Sequence, residues 1–125
     1  MNGEYCLYST NIFKSNGAGG WYHGADIHND HSVVVGNLVI DNNAHGLLLA
    51  CSGTVAAANV VKGGTHNYAI FLDESSISVI GNKILYSEKG AIFVEGHDKC
   101  NICANWIYAG DETAILLKGY SADCE

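Results

Sequence analysis

The sequence predicts an all-β fold: one parallel β-solenoid domain over residues 1–125, wound in about five coils of 22–23 residues. Three observations carry this. Asn closes a short apolar run at Val34-Val35-Gly36-Asn37, Ala56-Ala57-Ala58-Asn59, Val79-Ile80-Gly81-Asn82 and Ile102-Cys103-Ala104-Asn105, at spacings of 22, 23 and 23. A small residue opens a second run at Gly46-Leu47-Leu48-Leu49, Ala69-Ile70-Phe71-Leu72, Ala91-Ile92-Phe93-Val94 and Ala114-Ile115-Leu116-Leu117, at spacings of 23, 22 and 23. Within the runs the apolar period is two and the residues are rich in β-branched types, which makes helical repeats a poor alternative.

Each unit reads as three short strands. The first ends at the Gly-Asn or Ala-Asn corner, the second follows it, and the third follows a polar turn of variable sequence. One such coil cannot bury its inward face alone; stacking at about 4.8 Å makes three parallel sheets around a continuous core. Alternation then assigns the inward columns. They are Val34, Ala56, Val79, Ile102 in the first sheet and Phe13, Val39, Val61, Ile84, Ile107 in the second. The third sheet contributes Ala25, Leu47, Ile70, Ile92, Ile115 and Ile27, Leu49, Leu72, Val94, Leu117. The repeated Asn is expected to form a side-chain ladder, with the left-handed backbone of the bend at the Asn itself. A degenerate first copy holds Asn11 and Gly24-Ala25-Asp26-Ile27, with about four extra residues between Ile12 and Gly24.

Composition narrows the function. All six basic residues are Lys, against 13 acids, for a net charge of −7. Nucleic acid and an anionic membrane surface both call for cations, so neither is an expected partner. No apolar run approaches the length of a membrane helix, and the N-terminus lacks the basic start and apolar core of a signal peptide. The five cysteines are odd in number, and Cys100-Asn101-Ile102-Cys103 is a lone CxxC inside a strand repeat, so neither a disulfide framework nor a metal site is expected. Asp41, Asp111 and Glu112 in the variable turns leave metal binding open there. Cys124 falls where a sixth coil would begin, so the solenoid is expected to be a fragment or a stub whose ends partners cover.

The pattern resembles the right-handed parallel β-helix repeat of the pectin-lyase-like superfamily over nearly all of residues 6–124. The right hand is implied by that resemblance and agrees with the rule for parallel crossovers. The resemblance also implies that the third sheet and the turn before it, with the extra residues Ser15 to Tyr22, line a polysaccharide groove. The compartment it suggests is extracellular or a virion surface. Gly24-Ala25-Asp26-Ile27-His28 with His45-Gly46 is similar to the catalytic region of mannuronan C-5-epimerases. By that similarity Asp26, His28 and His45 are the acid–base candidates, with Tyr22 assisting. Ile27 stands where that pattern has Pro, and Tyr22 is displaced by one position.

Three outward columns of the third sheet follow from the alternation. Tyr22 and the column His23, His45, Tyr68, Gly90, Thr113 lie just before the anchor, within reach of a groove. Asp73, Glu95 and Lys118 form an outer column whose first two carboxylates, about 5 Å apart at the backbone, suit a glycosidase pair, a calcium site or a plain charge ladder. Together with His23 and Tyr68 they are the substrate-binding candidates. The middle column holds Leu48, Phe71, Phe93 and Leu116, an outward apolar stripe that reads as an interface, a sugar platform or the bed of a loop. Two functional classes result: a carbohydrate-active or carbohydrate-binding β-helix, epimerase- or lyase-like, and a structural segment such as part of a phage tailspike or self-associating fibre. The expected partners are a polysaccharide and a second copy or larger assembly. No cofactor is expected beyond possible calcium.

Overall fold

A computed structural model of the chain describes residues 5–16, 22–62, 67–85, 87–109 and 112–119. Those residues form strands and turns, with no helix among them. The first rung is β1 (Leu7–Ser9), β2 (Ile12–Lys14) and β3 (Ala25–Ile27). The second is β4 (Val33–Val35), β5 (Leu38–Ile40) and β6 (Leu47–Leu49). The third is β7 (Val55–Ala57), β8 (Val60–Lys62) and β9 (Ile70–Leu72). The fourth is β10 (Ser78–Ile80), β11 (Lys83–Leu85) and β12 (Ile92–Glu95), and the fifth is β13 (Asn101–Cys103), β14 (Trp106–Ile107) and β15 (Ile115–Lys118). Every strand pairs in parallel with its equivalent on the next rung, giving three five-stranded sheets: β1-β4-β7-β10-β13 (sheet 1), β2-β5-β8-β11-β14 (sheet 2) and β3-β6-β9-β12-β15 (sheet 3).

The register matches the repeat residue for residue. Val34 faces Ala56, Ala56 faces Val79, and Val79 faces Ile102. Val39, Val61 and Ile84 are in line, as are Leu47, Ile70 and Ile92. These inward side chains form one core with essentially no exposure. The end strands differ. Ile115 and Leu117 keep the inward register but are 42% and 46% exposed, and Tyr8, Phe13, Ile102 and Ile107 are only partly buried. Among the described residues each has a neighbouring rung on one side only.

The Asn ladder holds the corner between sheets 1 and 2. The backbone N and Nδ2 of Asn37 both donate to Asn59 Oδ1, at 2.9 and 3.0 Å. Asn59 does the same to Asn82 Oδ1, at 2.9 and 2.9 Å, and Asn82 to Asn105, at 2.9 and 3.0 Å. Each Nδ2 also donates across the corner: Asn59 to Val34 O at 2.9 Å, Asn82 to Ala56 O at 2.9 Å. One expectation is corrected. The left-handed backbone lies at the residue before each Asn: Thr10, Gly36, Ala58, Gly81 and Ala104, with φ between 52° and 64°. This placement turns the chain while leaving the Asn amide and side chain in line with the rungs. Only Gly36 and Gly81 meet that φ without a side-chain cost.

Candidate functional site

Sheet 3 places the candidate residues. Gly46 sits just before β6, where a Cβ would lie 2.5 Å from Ala69 O and 2.7 Å from Val61 Cγ1. That close approach lets the rungs stack tightly beneath the preceding residue, His45. Strand alternation then turns Asp26, Leu48, Phe71, Phe93 and Leu116 outward in one register-aligned column, as the repeat requires.

The most ordered part of this face is a ring stack. His23 and His45 lie face to face with centroids 5.1 Å apart, and His45 and Tyr68 lie 6.1 Å apart with their planes nearly parallel at 7°. Tyr68 stacks on Phe93 at 4.5 Å, Phe93 on Phe71 at 5.1 Å, and His45 tilts against Phe71 at 4.7 Å. The sequence separated these residues into a polar column and an apolar stripe; the structure joins them. The signal was available, since His23, His45 and Tyr68 already shared a column one circuit apart. Because ring faces are spent on one another, mainly edges reach the surface. Phe93 is buried although it points away from the core, while Leu48, Phe71 and Leu116 are half-buried.

His45 is 7% exposed and its Nδ1 is buried without a hydrogen-bond partner. Burial, then the neighbouring His23, lower its pKa from 6.5 to about 4. Burial lowers His23 as well, against the pull of Asp26. His23 Nδ1 accepts the backbone N–H of His45 at 3.3 Å. Both imidazoles are therefore neutral parts of the stack at neutral pH.

The other candidates are open to solvent. Asp26 Oδ1 and His28 Nε2 are 2.8 Å apart, and both side chains are exposed. Tyr22 is 58% exposed. Lys118 Nζ meets Glu95 Oε1 at 2.8 Å, which raises the lysine pKa. Asp73 lies 3.7 Å from His97 Nε2, a neighbour the sequence reading did not assign to it. The outer column thus resolves into pairs, Asp73 with His97 and Glu95 with Lys118. In the turns, Asp41 bonds Lys62 Nζ at 2.7 Å, which lowers its pKa, and Glu112 is exposed. Ser15 and Asn16 are described; positions 17–21 of the extra segment, Asp111 and Cys124 lie outside the described residues. Cys100, just before β13, is buried, and Cys103 at its end is exposed.

The comparisons bear on this geometry. The family model described as "Periplasmic copper-binding protein (NosD)" matches residues 1–123. The chain belongs to the NosD family. Neither the curated proteins nor the solved structures gave a match. The resemblance to mannuronan epimerases finds no counterpart in these comparisons; the parallel β-solenoid architecture does.

The family's description raises copper, and the donor set tests it. Copper is held by imidazoles or thiolates converging on one point. The lone pairs of stacked His23 and His45 lie in separate, nearly parallel planes at 16°, and His23 Nδ1 is already used by the His45 amide. Cys51 is hydrogen-bonded to Thr54 at 2.9 Å, and burial pushes its thiol pKa up, away from thiolate. Among the described residues no group of three or more His, Cys, Asp or Glu gathers as a ligand set. The described residues do not fit a copper centre.

Proposed function

We propose that this NosD-family solenoid works outside the cytoplasm and recognises an extended polysaccharide along the outward face of sheet 3. The periplasmic description of the family supports the location. The observation that carries the recognition reading is the file of exposed polar pairs beside an immobilised ring stack: Asp26–His28, Asp73–His97 and Glu95–Lys118. Rungs repeat at about 4.8 Å, so the first, third, fourth and fifth rungs offer donors and acceptors along the axis, with Leu48 and Ala50 in the equivalent places on the second. Their strands are fixed by the ladders, which limits the ordering cost of binding a long chain. The carboxylates accept sugar hydroxyls; Lys118 and the histidines donate.

Acidity on this face favours neutral sugars over polyuronates, whose carboxylates meet Asp26, Asp73 and Glu95. Any acid–base chemistry of the epimerase or lyase type falls to Asp26 and His28, which are exposed and paired at 2.8 Å. His45, neutral and enclosed, belongs to the ring stack instead.

Affinity electrophoresis tests the reading against neutral β-glucan, mannan and galactan and a polyuronate. Retardation by at least one neutral polymer is expected, with roughly tenfold weaker retardation for Asp73→Ala/Glu95→Ala. No retardation by any polymer, or an unaffected double variant, overturns it.

A further inference from the structure

The outward face of sheet 2 has a different chemistry from that of sheet 3. Its aliphatic positions are Ile12, Leu38 and Val60, aligned across three rungs, and Ile40 and Leu85, which sit beside Lys14 and Lys62 in the next column. Ile12 is 70% exposed, and the other four are half-buried. Trp106 and Tyr108, 56% and 60% exposed, close one end of the face. The remaining outward positions are Lys14, Lys62 and Lys83, all exposed. Half of the chain's six lysines thus lie on one sheet of a protein with net charge −7. Among the described residues the carboxylate paired on this face is Asp41, at the corner after β5, 2.7 Å from Lys62. Lys83 rests over the Trp106 ring, 5.1 Å from its centroid.

No outward strand position of this sheet is Ser, Thr, Asn, Gln, Asp or Glu. A sugar would find few hydrogen-bonding partners here. Aliphatic side chains in one rigid plane, cations able to reach past them, and an exposed Trp and Tyr are instead the combination that suits a headgroup boundary.

We propose that the outward face of sheet 2 docks on the anionic surface of a lipid bilayer. The five strands span about 19 Å between the outermost pair, and the outward side chains reach the shallow depth at which interfacial segments sit, about 5–10 Å. The whole-chain charge argues against such a surface, but charge acts locally. Asp26, Asp73 and Glu95 project from sheet 3, on another side of the core, and at physiological salt interactions beyond about 8 Å are largely screened. Sheet 2 meets the bilayer with three lysines against one aspartate. Docked this way, the chain turns a different face, sheet 3, away for its own ligand.

The test is co-sedimentation with vesicles of phosphatidylcholine alone and of phosphatidylcholine with 30% phosphatidylglycerol, at low, physiological and high salt. Binding to the anionic vesicles only is expected, falling steeply with salt, with a blue shift in tryptophan emission that Trp106→Phe removes. Each lysine contributes roughly fivefold near an anionic surface, so Lys14→Gln/Lys83→Gln is expected to weaken binding about 25-fold. Asp73→Ala/Glu95→Ala is expected to leave it unchanged. These positions are exposed, and circular dichroism confirms that each variant is folded. No binding at low salt overturns the proposal, as does equal binding of the lysine double variant. Adsorption to an acidic protein surface without vesicle binding also overturns it.

Discussion

Replacing Asn59 by Ala removes the centre of the corner ladder. Asn59 has no exposure. Its Oδ1 accepts two hydrogen bonds from Asn37, and its Nδ2 donates to Val34 O and to Asn82 Oδ1. Asn82 Oδ1 keeps the backbone N–H of residue 59, so it stays satisfied. The Asn37 amide N–H and one Asn37 carboxamide N–H do not, while the Val34 carbonyl keeps the strand pairing between β4 and β7. Leaving a buried polar group unpaired costs about 1–3 kcal/mol, which puts the total at about 2–5 kcal/mol after partial relaxation. A domain of this size has about 5–15 kcal/mol in all. Asn59→Ala is therefore expected to unfold at a much lower urea concentration, followed by far-ultraviolet circular dichroism. Asn11→Ala is the internal comparison, because Asn11 is exposed and its side chain only donates, from Nδ2 to Asn37 Oδ1, which keeps the residue 11 backbone N–H. A loss below about 1 kcal/mol for Asn59→Ala, or equal losses at the two positions, would refute the ladder as the source of corner stability.

Two further outcomes follow from the site. His45 is lowered to about 4 from its ordinary 6.5, so between those values the unfolded chain binds the proton that the folded chain refuses. Its contribution is complete above pH 6.5 and is lost as pH falls toward 4; the full drop corresponds to at most about 3 kcal/mol, and partial access of water reduces it to about 2. Urea midpoints at pH 7 and pH 4.5 are expected to differ more for the wild type than for His45→Phe, and parallel pH dependences would count against a buried neutral imidazole. Gly46→Ala brings a methyl to 2.5 Å from Ala69 O, so the rungs must part; a loss of about 3 kcal/mol is expected from thermal melts, and an unchanged melting temperature contradicts the close approach. The polysaccharide and vesicle experiments above complete the set.

Most of the fold was legible because a solenoid repeats its constraints. Val39, Val61 and Ile84 are each one circuit apart, and stacking leaves no other way to bury them. The Asn spacing gave the ladder for the same reason. It could not say which residue at the corner takes positive φ, because Ala58, Ala104 and Thr10 carry no sequence mark of that backbone. The inward register likewise could not show that Ile115 and Leu117 remain half open, since that depends on what lies beyond the rung.

The candidate site was legible by column but not by contact. Sequence placed His23, His45 and Tyr68 in one file and Phe71 and Phe93 in the next. Side-chain rotation then decided that rings from both files stack, which buries His45 and Phe93 on an outward face. It also paired Asp73 with His97 rather than leaving it bare in the acidic column. The sequence by itself determined the period, the three sheets, the inward columns and the total charge, because these depend only on which residues recur each circuit. Only the tertiary structure decided which outward groups touch and how charge divides among the faces, because neighbours across rungs and around corners are set by packing and not by order along the chain.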